Sequence, residues 1–133
     1  MQALTIRRAR ALIALVAVTA ALPLLAEDRE SDAEQCVRLA AIDRTQVVDD
    51  RNILFYMKGG EIYRNELPYR CQGLREESAF MYRTSLNQLC NVDIITVLNN
   101  IGFGFSPGAS CGLGMFHPVE PLTAEQLLQG DDD

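Results

Sequence analysis

The sequence has no tryptophan, a single histidine (His117) and a single lysine (Lys58). One imidazole excludes a metal site built from several histidines. One lysine, with no G-x-x-x-x-G-K match around it, excludes a phosphate-binding P-loop. No two cysteines stand at C-x-x-C spacing, which argues against a zinc knuckle and a thioredoxin-like redox motif. The D-x-D-x-D-G spacing of a calcium loop is absent as well. Basic residues are scarce, 12 Lys+Arg against 18 Asp+Glu, a formal charge of −6. That balance argues against nucleic acid and anionic lipid as main partners. There is no internal repeat and no long low-complexity stretch. Neither a metal nor a cofactor is expected.

What is present begins with three arginines, Arg7, Arg8 and Arg10, followed by an uncharged, largely aliphatic run over residues 11–26. A basic segment, an apolar segment and small residues form the layout of a secretory signal peptide, expected at residues 1–26. Cleavage is expected after Ala26, with Ala21 as the alternative. The run is short for a membrane span, so an uncleaved anchor is the lesser reading, and no stable span is expected after cleavage. Removing residues 1–26 takes away three arginines and no acids, so the charge of residues 27–133 becomes −9. A chain of this length makes one compact domain. A domain so small buries a limited share of its surface and gains from covalent stabilisation.

The four cysteines, Cys36, Cys71, Cys90 and Cys111, all follow the signal. In an exported chain an even count reads as two structural disulfides. Sequence allows three connectivities. The favoured one pairs neighbours, Cys36–Cys71 with Cys90–Cys111, each worth about 3 kcal/mol in the chain-entropy model.

Residues 27–34 read as a flexible lead-in. Ser31 and Glu34 resemble a capping box, and Ala33, Cys36, Val37, Ala40 and Ala41 follow at helical spacing, so a short helix is expected near residues 32–41. From Thr45 onward the runs turn β-branched and aromatic. Thr45-Gln46-Val47-Val48, Ile53-Leu54-Phe55-Tyr56-Met57 and Ile62 to Leu67 read as strands, the last two joined by a Gly59-Gly60 hairpin turn. Further strands are expected at residues 79–84, 94–98 and 111–116, with glycine-rich loop at 99–110. Thr123-Ala124-Glu125-Gln126 starts a helix of one or two turns, and 131–133 is an acidic tail. The pattern predicts a mainly β protein: a small antiparallel barrel or sandwich of five to six strands, with one or two short helices, stabilised by disulfides.

Three stretches bear a likeness to known sequences. They are Val47-Val48-Asp49-Asp50-Arg51-Asn52-Ile53-Leu54-Phe55-Tyr56-Met57-Lys58-Gly59-Gly60, running on through Tyr63-Arg64-Asn65-Glu66-Leu67-Pro68; Leu89-Cys90-Asn91-Val92-Asp93-Ile94; and Ala109-Ser110-Cys111-Gly112-Leu113-Gly114-Met115-Phe116. In this order they resemble a family of small exported proteobacterial proteins classed as a domain of unknown function. The resemblance covers roughly residues 36–118. It implies a bacterial envelope or secreted location and a small cysteine-containing domain, and it supplies no catalytic residues.

Chemistry-bearing candidates are few. Gly108-Ala109-Ser110-Cys111-Gly112 matches the G-x-S-x-G nucleophile elbow, but the glycines and proline that follow do not read as the helix the elbow needs. A turn with tight packing is the favoured reading of Ser110, and a strand-end polar residue that of His117. Asp49 and Asp50 are read as turn-stabilising carboxylates. The three Tyr-Arg pairs, Tyr63-Arg64, Tyr69-Arg70 and Tyr82-Arg83, are read as tyrosine inward and arginine outward on strands. The expected function is therefore a non-enzymatic binding or envelope-associated module, periplasmic or secreted, with a protein, peptide or glycan partner. The preferred contact is the glycine-rich loop, with Phe103 and Phe105 exposed. The alternatives are a small secreted hydrolase using Ser110 and His117, and a secreted inhibitor of another enzyme.

Overall fold

The computed structural model describes residues 14–18 and 32–130. Both expected cleavage sites, most of the expected signal, residues 27–31 of the lead-in and the acidic tail lie outside the described residues. Among those described, nine strands and two helices follow in order. These are β1 (Cys36–Arg38), β2 (Ile42–Val47), β3 (Asn52–Met57), β4 (Ile62–Glu66), α1 (Leu74–Glu77), β5 (Phe80–Tyr82), β6 (Gln88–Cys90), β7 (Ile94–Asn100), β8 (Phe105–Gly112), β9 (Phe116–Pro118) and α2 (Pro121–Gln129). They form three antiparallel sheets, ordered β2-β3-β4-β9, β5-β7-β8 and β1-β6. The arrangement is sandwich-like and not a closed barrel, which bears out the mainly β, disulfide-stabilised expectation.

Alternation along the strands builds the core. Ile53 and Phe55 of β3 share one buried cluster with Ile95 and Val97 of β7 and with Val37, Leu89, Leu74 and Phe116. The Phe55 and Phe116 rings meet edge to face at 5.2 Å between centroids. The other face of β3 carries Leu54, which packs with Val48 and Ala124 under α2. β3 is thus buried on both faces, which is why its run is continuously apolar. Asn65 is the one fully buried polar side chain among the described residues. Its Nδ2 donates to the Gly114 carbonyl at 2.7 Å, and its Oδ1 accepts from the Gly114 amide at 2.8 Å. A side chain at Gly114 would land on the Glu66 carbonyl, so only glycine permits this amide pair.

Several expectations are corrected. The disulfides are Cys36–Cys90 and Cys71–Cys111, not neighbour pairs. Strand pairing decides this: β1 lies against β6 with Cys36 directly opposite Cys90. The helix near residues 32–41 is replaced by β1 and a single 3-10 turn, Leu39–Ala41. Val37 is buried opposite Leu89, and the Glu34 amide and carbonyl both bond to Phe116, so sheet pairing overrides the helical spacing. The expected loop at 99–110 is mostly strand, because β8 begins at Phe105 and runs to Gly112. The expected strand at 111–116 divides between the end of β8 and the start of β9. The C-terminal helix starts two residues early, with Pro121 in its first turn, where a proline loses no hydrogen bond.

Two disulfides in so small a domain are compatible with an oxidising location outside the cell interior. No helix among the described residues is long and apolar enough to cross a membrane.

Candidate functional site

The β7–β8 hairpin carries the most exposed apolar groups. Its turn is residues 101–104, flanked by the cross-strand pair Asn100–Phe105. Gly102 holds φ +90°, and glycine at the first of two central positions suits the twist of a two-residue hairpin turn. The Ile101 amide donates to the Gly104 carbonyl at 3.0 Å. The Gly102 amide donates to Asn100 Oδ1 at 2.9 Å. The Asn100 amide in turn donates to Glu77 Oε2 at 2.8 Å, which ties the hairpin's upper end to α1. The backbone is held, and the side chains are not: Phe103 is 92% exposed, Phe105 61% and Ile101 45%. Below the turn, Ile95 and Val97 are fully buried and Cys111 is bonded to Cys71, so the tip stands on a fixed base.

One signal of this site is in the sequence. No Asp, Glu, Lys or Arg occurs between Asp93 and Glu120, in a chain where such residues make up 23%. Charges are the usual means by which a surface hairpin stays in water, and this hairpin has none of its own.

The catalytic candidates are not brought together. Ser110 lies on β8 opposite Thr96, and its hydroxyl shares a 3.1 Å hydrogen bond with the Thr96 hydroxyl. His117 lies on β9 opposite Arg64, in the other large sheet, beside a groove shared with Thr123 and Leu127 of α2. Ser110 belongs to a different groove, lined by Met81, Ile94 and Pro107. The dyad that the hydrolase alternative requires is not assembled.

The acidic turn is occupied by its own fold. Asp49 Oδ1 accepts from the amides of Arg51 and Asn52, both at 2.7 Å. Asp50 Oδ1 accepts from the Arg75 amide at 2.9 Å, and its Oδ2 pairs with the Arg70 guanidinium at 3.0 Å. Arg51 Nε donates to the Leu67 carbonyl at 3.1 Å. A shallow cleft of about 290 Å³ opens among these groups, but the contacts above hold the loop after β4 to the β2–β3 turn. Among the described residues no group of three or more His, Cys, Asp or Glu is placed to hold a metal. The Tyr-Arg expectation holds for Tyr82-Arg83; Tyr63 packs on the core as expected, but Arg64 beside it is half-buried, and Tyr69 is 83% exposed in the loop after Pro68.

Comparison of the chain with known protein families, with curated proteins and with solved structures finds no match. What the chain does is therefore to be read from its own geometry.

Proposed function

We propose that this chain is an exported, non-enzymatic binding module of the bacterial envelope, of the same kind as the small exported proteins it resembles. It engages its partner through the tip of the β7–β8 hairpin. The observation that carries this reading is the tip itself: Phe103 at 92% and Phe105 at 61% exposure, on a turn whose backbone is already bonded. A small domain has every energetic reason to bury two phenyl rings, and exposed apolar clusters of this kind mark interaction sites. The scattered serine and histidine, and an acidic turn satisfied from within, favour binding over catalysis.

The test compares wild type with a Phe103→Ala/Phe105→Ala variant in a cell that exports the protein. Wild type is expected with the envelope fraction, and the variant released, while both keep the same melting temperature. An intact mass equal to residues 27–133 less four hydrogens is expected for both. Identical fractionation of the two proteins would refute the tip as the binding element. A mass that retains residues 1–26 would refute processing.

A further inference from the structure

We infer that the partner of the hairpin tip is an electrically neutral lipid surface, into which Ile101, Phe103 and Phe105 insert; this rests on the binding reading above. Four observations converge on it. The first is the chemistry of the tip. Residues 101–105 are Ile, Gly, Phe, Gly and Phe, with no polar side chain among them. A glycan is held by hydrogen bonds to its hydroxyls as well as by stacking, and this tip has no side-chain donor or acceptor to offer. Hydrocarbon asks for none.

The second is the backbone. Polar main-chain groups are costly in lipid unless they are satisfied internally. Two of the turn's four amides, those of Ile101 and Gly102, are bonded within the hairpin, to Gly104 and to the Asn100 side chain, which lowers the cost of insertion to the depth of an interface.

The third is where charge begins. Going down from the turn, a carboxylate is met at Glu77, which accepts from the Asn100 amide. Two to three residues separate Asn100 from the centre of the turn, so the tip clears that carboxylate by about 7–10 Å at strand spacing. Apolar groups anchored at a bilayer interface sit about 5–10 Å deep. With a formal charge of −9 over residues 27–133, the exported chain is repelled by anionic headgroups, which selects a zwitterionic surface.

The fourth concerns the competing use of the same hairpin. β8 is an edge strand, and an extended peptide would add there. Leu98 turns its amide toward Ala79 of the β5 side, so its partner Pro107 faces the open edge. Proline has no amide to donate, and the register shift between Thr96 and Leu98 breaks the ladder further. The edge is interrupted at Pro107 while the tip is open.

The experiment uses Phe103→Trp in the full exported protein. The sequence has no tryptophan, so the new indole is the sole such fluorophore and reports on the tip alone. On titration with vesicles of phosphatidylcholine, its emission moves to shorter wavelength and the protein floats with the vesicles. Phe103→Ala in the otherwise native chain lowers partitioning about tenfold or more, the loss expected for one buried phenyl ring. Replacing part of the phosphatidylcholine with phosphatidylglycerol weakens binding, and Glu77→Gln, which keeps an acceptor for Asn100, restores part of it. An emission shift that needs no vesicles and grows with protein concentration would overturn the lipid inference in favour of a second copy, and leave the tip as a binding element. Emission unmoved by vesicles and by concentration, together with unchanged cell fractionation of the double alanine variant, would overturn both readings.

Discussion

The β2–β3 turn at residues 48–51 and the β7–β8 turn at residues 101–104 both reverse an antiparallel strand pair, and they do it with opposite chemistry. In the first, Asp49 and Asp50 collect backbone amides and the Arg70 guanidinium, and Arg51 reaches carbonyls across the loop after β4. The carboxylates of Asp49 and Asp50 and the guanidinium groups of Arg51 and Arg70 each have a partner inside the fold. In the second, the backbone bonds are few and local, and the apolar side chains point into solvent. A polar cluster that satisfies itself is a fastening, whereas apolar groups left unsatisfied are available to something else. By that contrast the charged, sequence-distinctive turn is structural, and the plainest stretch is the functional candidate.

The two regions are covalently joined, and breaking the join gives the largest effect. Cys71 follows the loop that Asp50 fastens, with its amide donating to the Asp50 carbonyl at 2.7 Å, and it bonds to Cys111 of β8. The bridge closes a loop spanning 40 positions. Cys71→Ala/Cys111→Ala is expected to lower unfolding free energy by about 4 kcal/mol in the chain-entropy model. The Cys36–Cys90 bridge closes a loop of similar size, so Cys36→Ala/Cys90→Ala is expected to cost about the same, yet it leaves the hairpin's base in place. Urea denaturation of the two variants measures the stability. Limited proteolysis sharpens the contrast, since only loss of Cys71–Cys111 should expose the β8 strand to cleavage.

A smaller effect follows from unfastening the acidic turn itself. Asp49→Ala strips one acceptor from the amides of Arg51 and Asn52 and from the Asn52 side chain. Hydrogen bonds to a charged group carry more than neutral ones, and partial solvent access returns part of the loss. The expected cost is about 1–2 kcal/mol. Asp49→Asn retains an acceptor and should lose less. Neither change should alter how the hairpin tip behaves toward its partner, and a shift in tip binding with Asp49→Ala would show that the two regions are not independent.

Much of the β architecture is legible in the sequence, because β3, β4 and β7 are long, β-branched or aromatic, and separated by strong turn signals. β1, β6 and β9 are three residues each and have no periodicity to read. They exist because β1 and β6 pair with each other and β9 lies along β4, which is a fact of tertiary contact. The disulfide pattern was hidden for the same reason, since Cys36 meets Cys90 only once β1 and β6 align. β8 escapes notice because glycine, serine and proline dominate it, and those residues ordinarily mark loops. The exposed phenylalanines were visible as a pair flanked by glycines. What made them distinctive, a hairpin without a single ionised side chain of its own, is a property of a long window and not of any motif.

The smallest effect tests whether the pH response belongs to the charged half of the molecule. The hairpin between Asp93 and Glu120 has no carboxylate, lysine or arginine to titrate. On β4, by contrast, burial holds the Tyr63 phenol above its ordinary pKa of 10.0, helped by the negative charges of Glu34 and Glu61. A phenol whose folded pKa is raised keeps its proton longer in the native state than in the unfolded chain. The native state then binds more protons than the unfolded one above the ordinary tyrosine range, so stability falls as pH rises. The contribution is complete below pH 10 and is lost as pH climbs through the folded value. Tyr63→Phe removes the ionisation while keeping the ring against Phe116, which it meets edge to face at 6.5 Å. Denaturation between pH 8 and pH 11 should show the alkaline decline of wild type flattened in this variant. An equal decline in both would move the source of alkaline sensitivity to another group on the charged side.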